Sequence, residues 1–151
     1  MAELVKIRLA TLNDVDKIAQ LFDEYRQFYQ QKPDFAQAKH FISQRMQQQE
    51  SIIGVAENSD NALIGFCQMY PSFCSVAAAP ILVLYDLFVH QTARKTGAGR
   101  ALMEFAADYA KTHHYTRLDL STAKNNLAAQ ALYESLGWVR DAQFYYYSLS
   151  V

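Results

Sequence analysis

Apolar and polar positions alternate from Val5 to Leu9, with Val5, Ile7 and Leu9 against Lys6 and Arg8, which is the period of a half-buried strand. Asn13 then stands where a helix cap is expected. Ile18, Leu21, Phe22, Tyr25 and Phe28 follow at three- and four-residue steps and predict an amphipathic helix that ends before Pro33. A second helix is expected from Asp34 to Gln49, burying Phe35, Ala38, Phe41, Ile42 and Met46. Ser51 to Glu57 and Ala62 to Tyr70 have the composition of two strands joined by the polar turn Asn58-Ser59-Asp60-Asn61. Ile81 to Val89 is almost wholly apolar, as befits a central strand covered on both faces. Beyond a glycine-containing loop, Ala101, Leu102, Phe105, Ala106 and Tyr109 form a helical stripe. Arg117 to Leu120 predicts a strand, and Leu127 to Leu136 a helix closed by Gly137. Trp138-Val139 and Phe144 to Leu149 are expected as final antiparallel strands.

The predicted order, β-α-α-β-β-β-α-β-α-β-β, mixes hairpins with a crossover. It implies an α/β (mixed α+β) protein whose sheet is parallel only near the glycine loop. A length of 151 residues suits one domain spanning 1–151. The net charge of −1 offers no basic field for nucleic acid, so no nucleic-acid partner is expected. The stretch Met1-Ala2-Glu3-Leu4-Val5-Lys6 lacks a secretory pattern. The apolar run Val76 to Tyr85 is interrupted by Pro80 and falls well short of the roughly 20 residues of a membrane span, so a cytoplasmic protein with no membrane partner is expected. Cys67 and Cys74 are expected as reduced packing residues. His40, His90, His113 and His114 form no metal-ligand pattern with Cys or acids, so no metal is expected. Only His90, just after the central strand, is a candidate proton relay.

The loop itself, Arg94-Lys95-Thr96-Gly97-Ala98-Gly99-Arg100, lies between the apolar strand and a helix. Glycines one residue apart remove β-carbons that would hold a ligand off the backbone, and the first-turn N–H groups of the following helix then face an anion. Arg94, Lys95 and Arg100 add positive charge. A nucleotide-hydrolase P-loop needs Lys and then Ser or Thr after its second glycine, whereas this loop continues Gly99-Arg100-Ala101. A dinucleotide fingerprint needs a third glycine where Leu102 stands, although Asp119 sits near the expected ribose-binding acid.

The loop resembles the acyl-CoA pyrophosphate site of the GNAT superfamily of N-acetyltransferases, in which Arg or Gln, two residues, Gly, any residue and Gly or Ala follow one another. Arg94, Gly97 and Gly99 match, with Leu84-Tyr85-Asp86-Leu87-Phe88-Val89 upstream and Asn126, Ala129, Leu132, Tyr133, Leu136, Gly137 and Trp138 downstream. The resemblance implies a mostly antiparallel mixed sheet of about seven strands flanked by about four helices. It also implies acetyl-CoA as co-substrate, held by Leu87, Phe88, Val89, the loop Arg94 to Arg100, Asn126 and Tyr133. A homodimer is a further implication. Asp-Leu-aromatic-Val before the loop is shared, more loosely, with small histone and polyamine acetyltransferases.

Acetyl transfer to an amine needs an uncharged amine, a stabilised oxyanion and a proton for the departing thiolate. The resemblance gives the oxyanion to the amide of Leu87 or Phe88 and the proton to Tyr133, a phenol whose reference pKa near 10 keeps it protonated at neutral pH. Asn126 and Tyr133, seven residues apart, fall on one helix face about 20° apart. Asn126 is equally a helix cap and Tyr133 a packing residue. Asp86, the lone charge in its strand, needs a cleft or polar partners, and binds or deprotonates an amine if it faces a cleft. Relatives that act on polyamines often have an acid one position earlier, where this chain has Tyr85.

The resemblance places specificity on the first two helices and the loop between the third and fourth strands. Glu24, Tyr25, Phe28 and Tyr29, with Tyr70, Ser72 and Phe73, are the candidates there, and aromatic rings with a few acids suit an ammonium. Acceptors in view are a polyamine, an amino acid or a related metabolite, with protein lysines as a second class. A non-catalytic acyl-CoA-binding module and a nicotinamide-dependent oxidoreductase are the competing functions.

Overall fold

In a computed structural model the described residues are 4–151; Met1, Ala2 and Glu3 of the amino-terminal stretch read above lie outside them. They form two compact units, divided after Leu120. The first contains strands β1 (Lys6–Leu9), β2 (Ile52–Glu57), β3 (Leu63–Cys74), β4 (Ala79–Val89) and β5 (Leu118–Asp119), with helices α1 (Val15–Phe28), α2 (Phe35–Gln47) and α3 (Ala98–Thr112). The strands lie side by side in chain order. Pairing is antiparallel from β1 through β4 and parallel between β4 and β5, as the predicted element order requires.

One face of the sheet packs against α1 and α2 around Ile18, Phe22, Ile42, Val55, Phe66 and Phe88. The other meets α3, whose Phe105 lies where a β-carbon on Gly54 would fall, so Gly54 admits the helix against β2. Coverage on both sides is why β4 is so apolar. Asn58 shapes the β2–β3 turn by accepting from the amides of Asp60 and Ala62 at 3.0 and 2.9 Å. Among the described residues no helix is long and apolar enough to cross a membrane.

Several elements differ from expectation. A 3-10 turn, Leu12–Asp14, precedes α1, so Asp14 and not Asn13 stands at its cap. Two partners draw Asp14 into that position: the Thr11 amide donates to it at 2.8 Å, and Arg8 reaches it at 2.8 and 2.9 Å. Arg8 also donates to Glu57 on β2 at 2.7 Å. The Arg8 contact, assisted by the Thr11 amide, holds the Asp14 carboxyl down at about 2. A carboxyl depressed in the folded state contributes stability above the ordinary value near 4 and loses it as pH falls towards 2. Asp14→Asn is therefore expected to cost about 1–2 kcal/mol in urea unfolding at pH 7, with the difference shrinking below pH 3.

Phe28 and Phe35, expected inside, are exposed because they lie at the two ends that α1 and α2 turn towards solvent. β3 continues through Ser72 and Phe73 to Cys74, which moves these residues from the anticipated loop into a strand. Cys67 and Cys74 are free thiols, the former buried.

The second unit contains α4 (Leu127–Ser135). Asn126 caps it, accepting from the Ala129 amide at 3.2 Å. Gly137, at φ 90°, closes it, with Gly137 N–H donating to Glu134 and Trp138 N–H to Tyr133. This is a Schellman closure, completed by the Tyr133 and Trp138 rings at 6.3 Å. Trp138-Val139 and Phe144 to Leu149 do not form the expected strands, so the sheet has five strands and not about seven. A strand requires a ladder partner, and this unit contains one helix and no strand to pair with. Asp141 instead ties a local turn by accepting from the amides of Gln143 and Phe144.

Candidate active site

The glycine loop begins where β4 ends. A short 3-10 turn, Gln91–Ala93, follows His90, and the chain then passes through two left-handed residues, Lys95 at φ 66° and Gly97 at φ 87°. Gly97 is the cap of α3, with no atom within 4 Å of where its β-carbon would be, and the backbone there is open to a ligand. Thr96 fixes the turn by donating to the Ala93 carbonyl at 2.7 Å. The Ala101 amide reaches the Gly97 carbonyl at 3.0 Å, and the helical amides before it precede every carbonyl of α3. Ala98 is buried beneath the turn and Gly99 lies in the first turn of the helix. Arg94, Lys95 and Arg100 are exposed around it. Arg94 donates to the Val89 carbonyl at 3.3 Å with its guanidinium 5.9 Å from the Phe88 ring centre, while Arg100 approaches Glu104 at 3.9 Å.

Beside the loop, β4 is open along one edge. Its parallel pairing with β5 is limited to Leu82 with Leu118 and Val83 with Asp119, so from Leu84 to Val89 no strand among the described residues pairs with that edge. The opposite edge is taken by β3, Cys67 facing Leu87, Phe66 facing Phe88 and Gly65 facing Val89. An exposed strand edge presents main-chain donors and acceptors to an extended ligand arm. An anion-ready helix start together with a free strand edge fits a long ligand with a pyrophosphate at one end.

A bulge determines what else β4 presents. Gln68 pairs with Asp86 and Met69 with Leu84, leaving Tyr85 without a partner in β3. The extra residue shifts the alternation, so Asp86 shares the α1 face with Phe88 while Leu84 faces the other way with Met69. The Tyr25 ring on α1 confirms the face, lying 6.1 Å from Phe66 and 6.2 Å from Phe88.

Asp86 is 4% exposed. Gln68 donates to it from Nε2 at 2.7 Å. Burial raises its carboxyl above the usual range, against the opposing pull of Gln68 and the Tyr25 hydroxyl. The Tyr25 hydroxyl donates to the carbonyl of Tyr85, the bulged residue, at 3.2 Å. Burial, and then the Asp86 charge, push the Tyr25 and Tyr70 phenols up, so both remain protonated. The Tyr70 and Tyr85 rings meet at 5.7 Å, 63° apart.

The structure thus groups Tyr25, Tyr70 and Asp86 of the anticipated substrate residues. Phe28 belongs elsewhere: half exposed, it lies with its ring centre 6.0 Å from the Arg94 guanidinium, on the loop side. Glu24 faces His90, Oε1 to Nε2 at 3.6 Å, while His90 Nδ1 accepts from the Thr92 amide at 3.2 Å. Asn126 and Tyr133 are placed within the second unit as described. Gln68 escapes sequence reasoning, although it is a visible polar interruption of an apolar run; only the register shows that it opposes Asp86.

The model of the acetyltransferase (GNAT) family matches residues 15–138. An uncharacterized N-acetyltransferase, YhfO of Bacillus subtilis (strain 168), is 42% identical over 147 residues, covering 97% of this chain and 98% of that protein. Among solved structures, the crystal structure of a probable acetyltransferase superposes with a TM-score of 0.91 at 35% identity, covering 97% of each chain. The aminoglycoside N-acetyltransferase AAC(6')-Iy in complex with CoA shares the fold at a TM-score of 0.82 and 14% identity, covering 100% of this chain and 98% of that one. With the glycine turn and the open β4 edge, these relationships show that the chain belongs to the GNAT acetyltransferase family and is an acetyl-CoA-dependent N-acetyltransferase.

Proposed function

We propose that the enzyme acetylates a primary amine of a small molecule by direct attack of the bound amine on the thioester, without an acyl-enzyme. The observation that carries this reading is the left-handed Gly97 opening α3 beside the unpaired edge of β4. Acetyl-CoA supplies an activated acyl group. Gly97, Gly99 and the flanking cations Arg94, Lys95 and Arg100 hold its pyrophosphate, with the Thr96 and Ala98 turn shaping the cradle. The β4 edge, Leu87 to Val89, takes its extended arm, with a Leu87 or Phe88 amide directed at the carbonyl oxygen as charge develops there.

The amine arrives as an ammonium, which suits the rings of Tyr25 and Tyr70 and the Asp86 carboxylate. Asp86 takes its proton, directly or through one water, freeing the nitrogen lone pair. A carboxylate whose pKa burial has raised is a stronger base than an exposed one. Tyr133 donates the proton that the departing thiolate needs. The family resemblance gives Asn126 a further contact to the coenzyme.

Thermal melting with acetyl-CoA and with NAD tests this reading. At about a hundredfold excess over Kd, acetyl-CoA is expected to stabilise the protein by about 2.7 kcal/mol. NAD is expected to leave the melt unchanged; a shift with NAD alone would overturn acyl transfer. Gly97→Val forces a β-branched residue into a left-handed backbone at the cradle. The variant is expected to lose about 1–2 kcal/mol of stability and most of the acetyl-CoA shift.

A further inference from the structure

Three side-chain atoms among the described residues are buried without a hydrogen-bond partner: Arg45 Nε, Ser51 Oγ and Gln68 Oε1. They are not scattered. Gln68 and Tyr70 lie two apart on β3 and share the face covered by α1 and α2, and the register pairing Ile52 with Met69 brings Ser51 beside Tyr70. Arg45 lies three residues beyond the buried Ile42 on the sheet-facing side of α2, its guanidinium 4.6 Å from the Phe41 ring centre. Among the described residues its ion pair is with Glu50, half exposed, at 3.4 Å through Nη2. Tyr70 feels both charges: beyond the dominant effect of burial, Asp86 raises its phenol and Arg45 lowers it.

A buried guanidinium N–H left unpaired costs more than an ordinary missing bond, and a buried hydroxyl and amide oxygen repeat the pattern. The unmet groups are complementary at their two ends. Arg45 Nε and Ser51 Oγ offer donors. Gln68 Oε1 offers an acceptor beside the Asp86 carboxylate that the other end of the Gln68 amide already holds. We propose that the acceptor substrate is an amine that also carries a carboxylate, of the amino-acid class, with its carboxylate on Arg45 and Ser51 and its ammonium at Asp86 and Gln68. This inference rests on the acetyl-transfer reading and narrows it, since a polyamine leaves Arg45 unmatched.

The test uses amino acids paired with their decarboxylation products, such as lysine with cadaverine and tyrosine with tyramine, at saturating acetyl-CoA. Free-CoA release is the readout, and calorimetric binding is measured in parallel. The parent enzyme is expected to prefer the carboxylate-bearing member of at least one pair. Arg45→Gln is expected to raise the KM of that member by roughly tenfold to a hundredfold and to abolish the preference, with Arg45→Lys restoring part of it. Ser51→Ala, a milder change, is expected to move the same KM in the same direction, which keeps the test open if Arg45→Gln folds poorly. Equal use of both members of every pair overturns the inference and leaves acetyl transfer standing. Failure of every carboxylate-bearing amine to bind also overturns it. Binding that Arg45→Gln abolishes, with no CoA released from any amine, supports the Arg45 site and rejects acetyl transfer.

Discussion

Asp86→Asn is expected to melt higher than the parent protein at pH 7 and to turn over roughly a hundredfold to ten-thousandfold more slowly. Both effects have one origin. Asp86 is nearly sealed from water, and burial raises its carboxyl. The folded chain therefore holds this proton more tightly than the unfolded chain, whose ordinary Asp value is near 3.9. As pH rises above about 4, the folded state loses ground until its own raised value is passed, and the difference is constant thereafter. Asparagine does not titrate, so the variant escapes this loss. Its amide can also be satisfied by Gln68, whose Oε1 lacks a partner. Each kcal/mol recovered is expected to add about 2–4 °C to the melting temperature. Melting curves for both proteins from pH 4 to pH 8 should diverge as pH rises. A variant less stable at every pH, with turnover intact, would make Asp86 a structural carboxylate.

Tyr133→Phe is expected to lower kcat by roughly a hundredfold to ten-thousandfold, the range in which a positioned general acid acts, with the Kd for acetyl-CoA unchanged. Only the hydroxyl is removed. The ring, and its 6.3 Å contact with Trp138 across the Schellman closure, are retained, so α4 should stay folded by circular dichroism. Retention of the parent kcat would assign Tyr133 to packing. Acyl donors with a better leaving thiolate would separate the two outcomes further, since a weaker demand for the proton shrinks the defect of a missing acid.

Local rules account for much of what was legible beforehand. The 3.6-residue stripes gave α1, α2 and α3 because a helix that buries one face repeats its apolar positions on its own period. Gly137 marked the end of α4 because its backbone is left-handed at φ 90°. The turn after β4 was legible for the same kind of reason, since Gly97 takes the left-handed backbone, at φ 87°, that opens α3. The misplacements come from partners distant in sequence. Asn13 lost the cap to Asp14 because Arg8 and Thr11 hold the carboxylate. The final strands were expected from composition, but composition provides no ladder partner.

The sequence by itself determined the helices of the first unit, the antiparallel order of its strands and the left-handed turn at Gly97, because each depends on residues close together in the chain. Tertiary structure alone decided where Asp86 lies and what surrounds it. The unpaired Tyr85 sets Leu84 and Asp86 on opposite faces, leaving Asp86 opposite Gln68 on the α1 side, and a pattern of alternating residues contains no sign of a bulge. Arg45 and Ser51 likewise acquire meaning only when α2 and β2 bring them to Tyr70, because complementarity to a ligand depends on positions in space that local chain geometry leaves open.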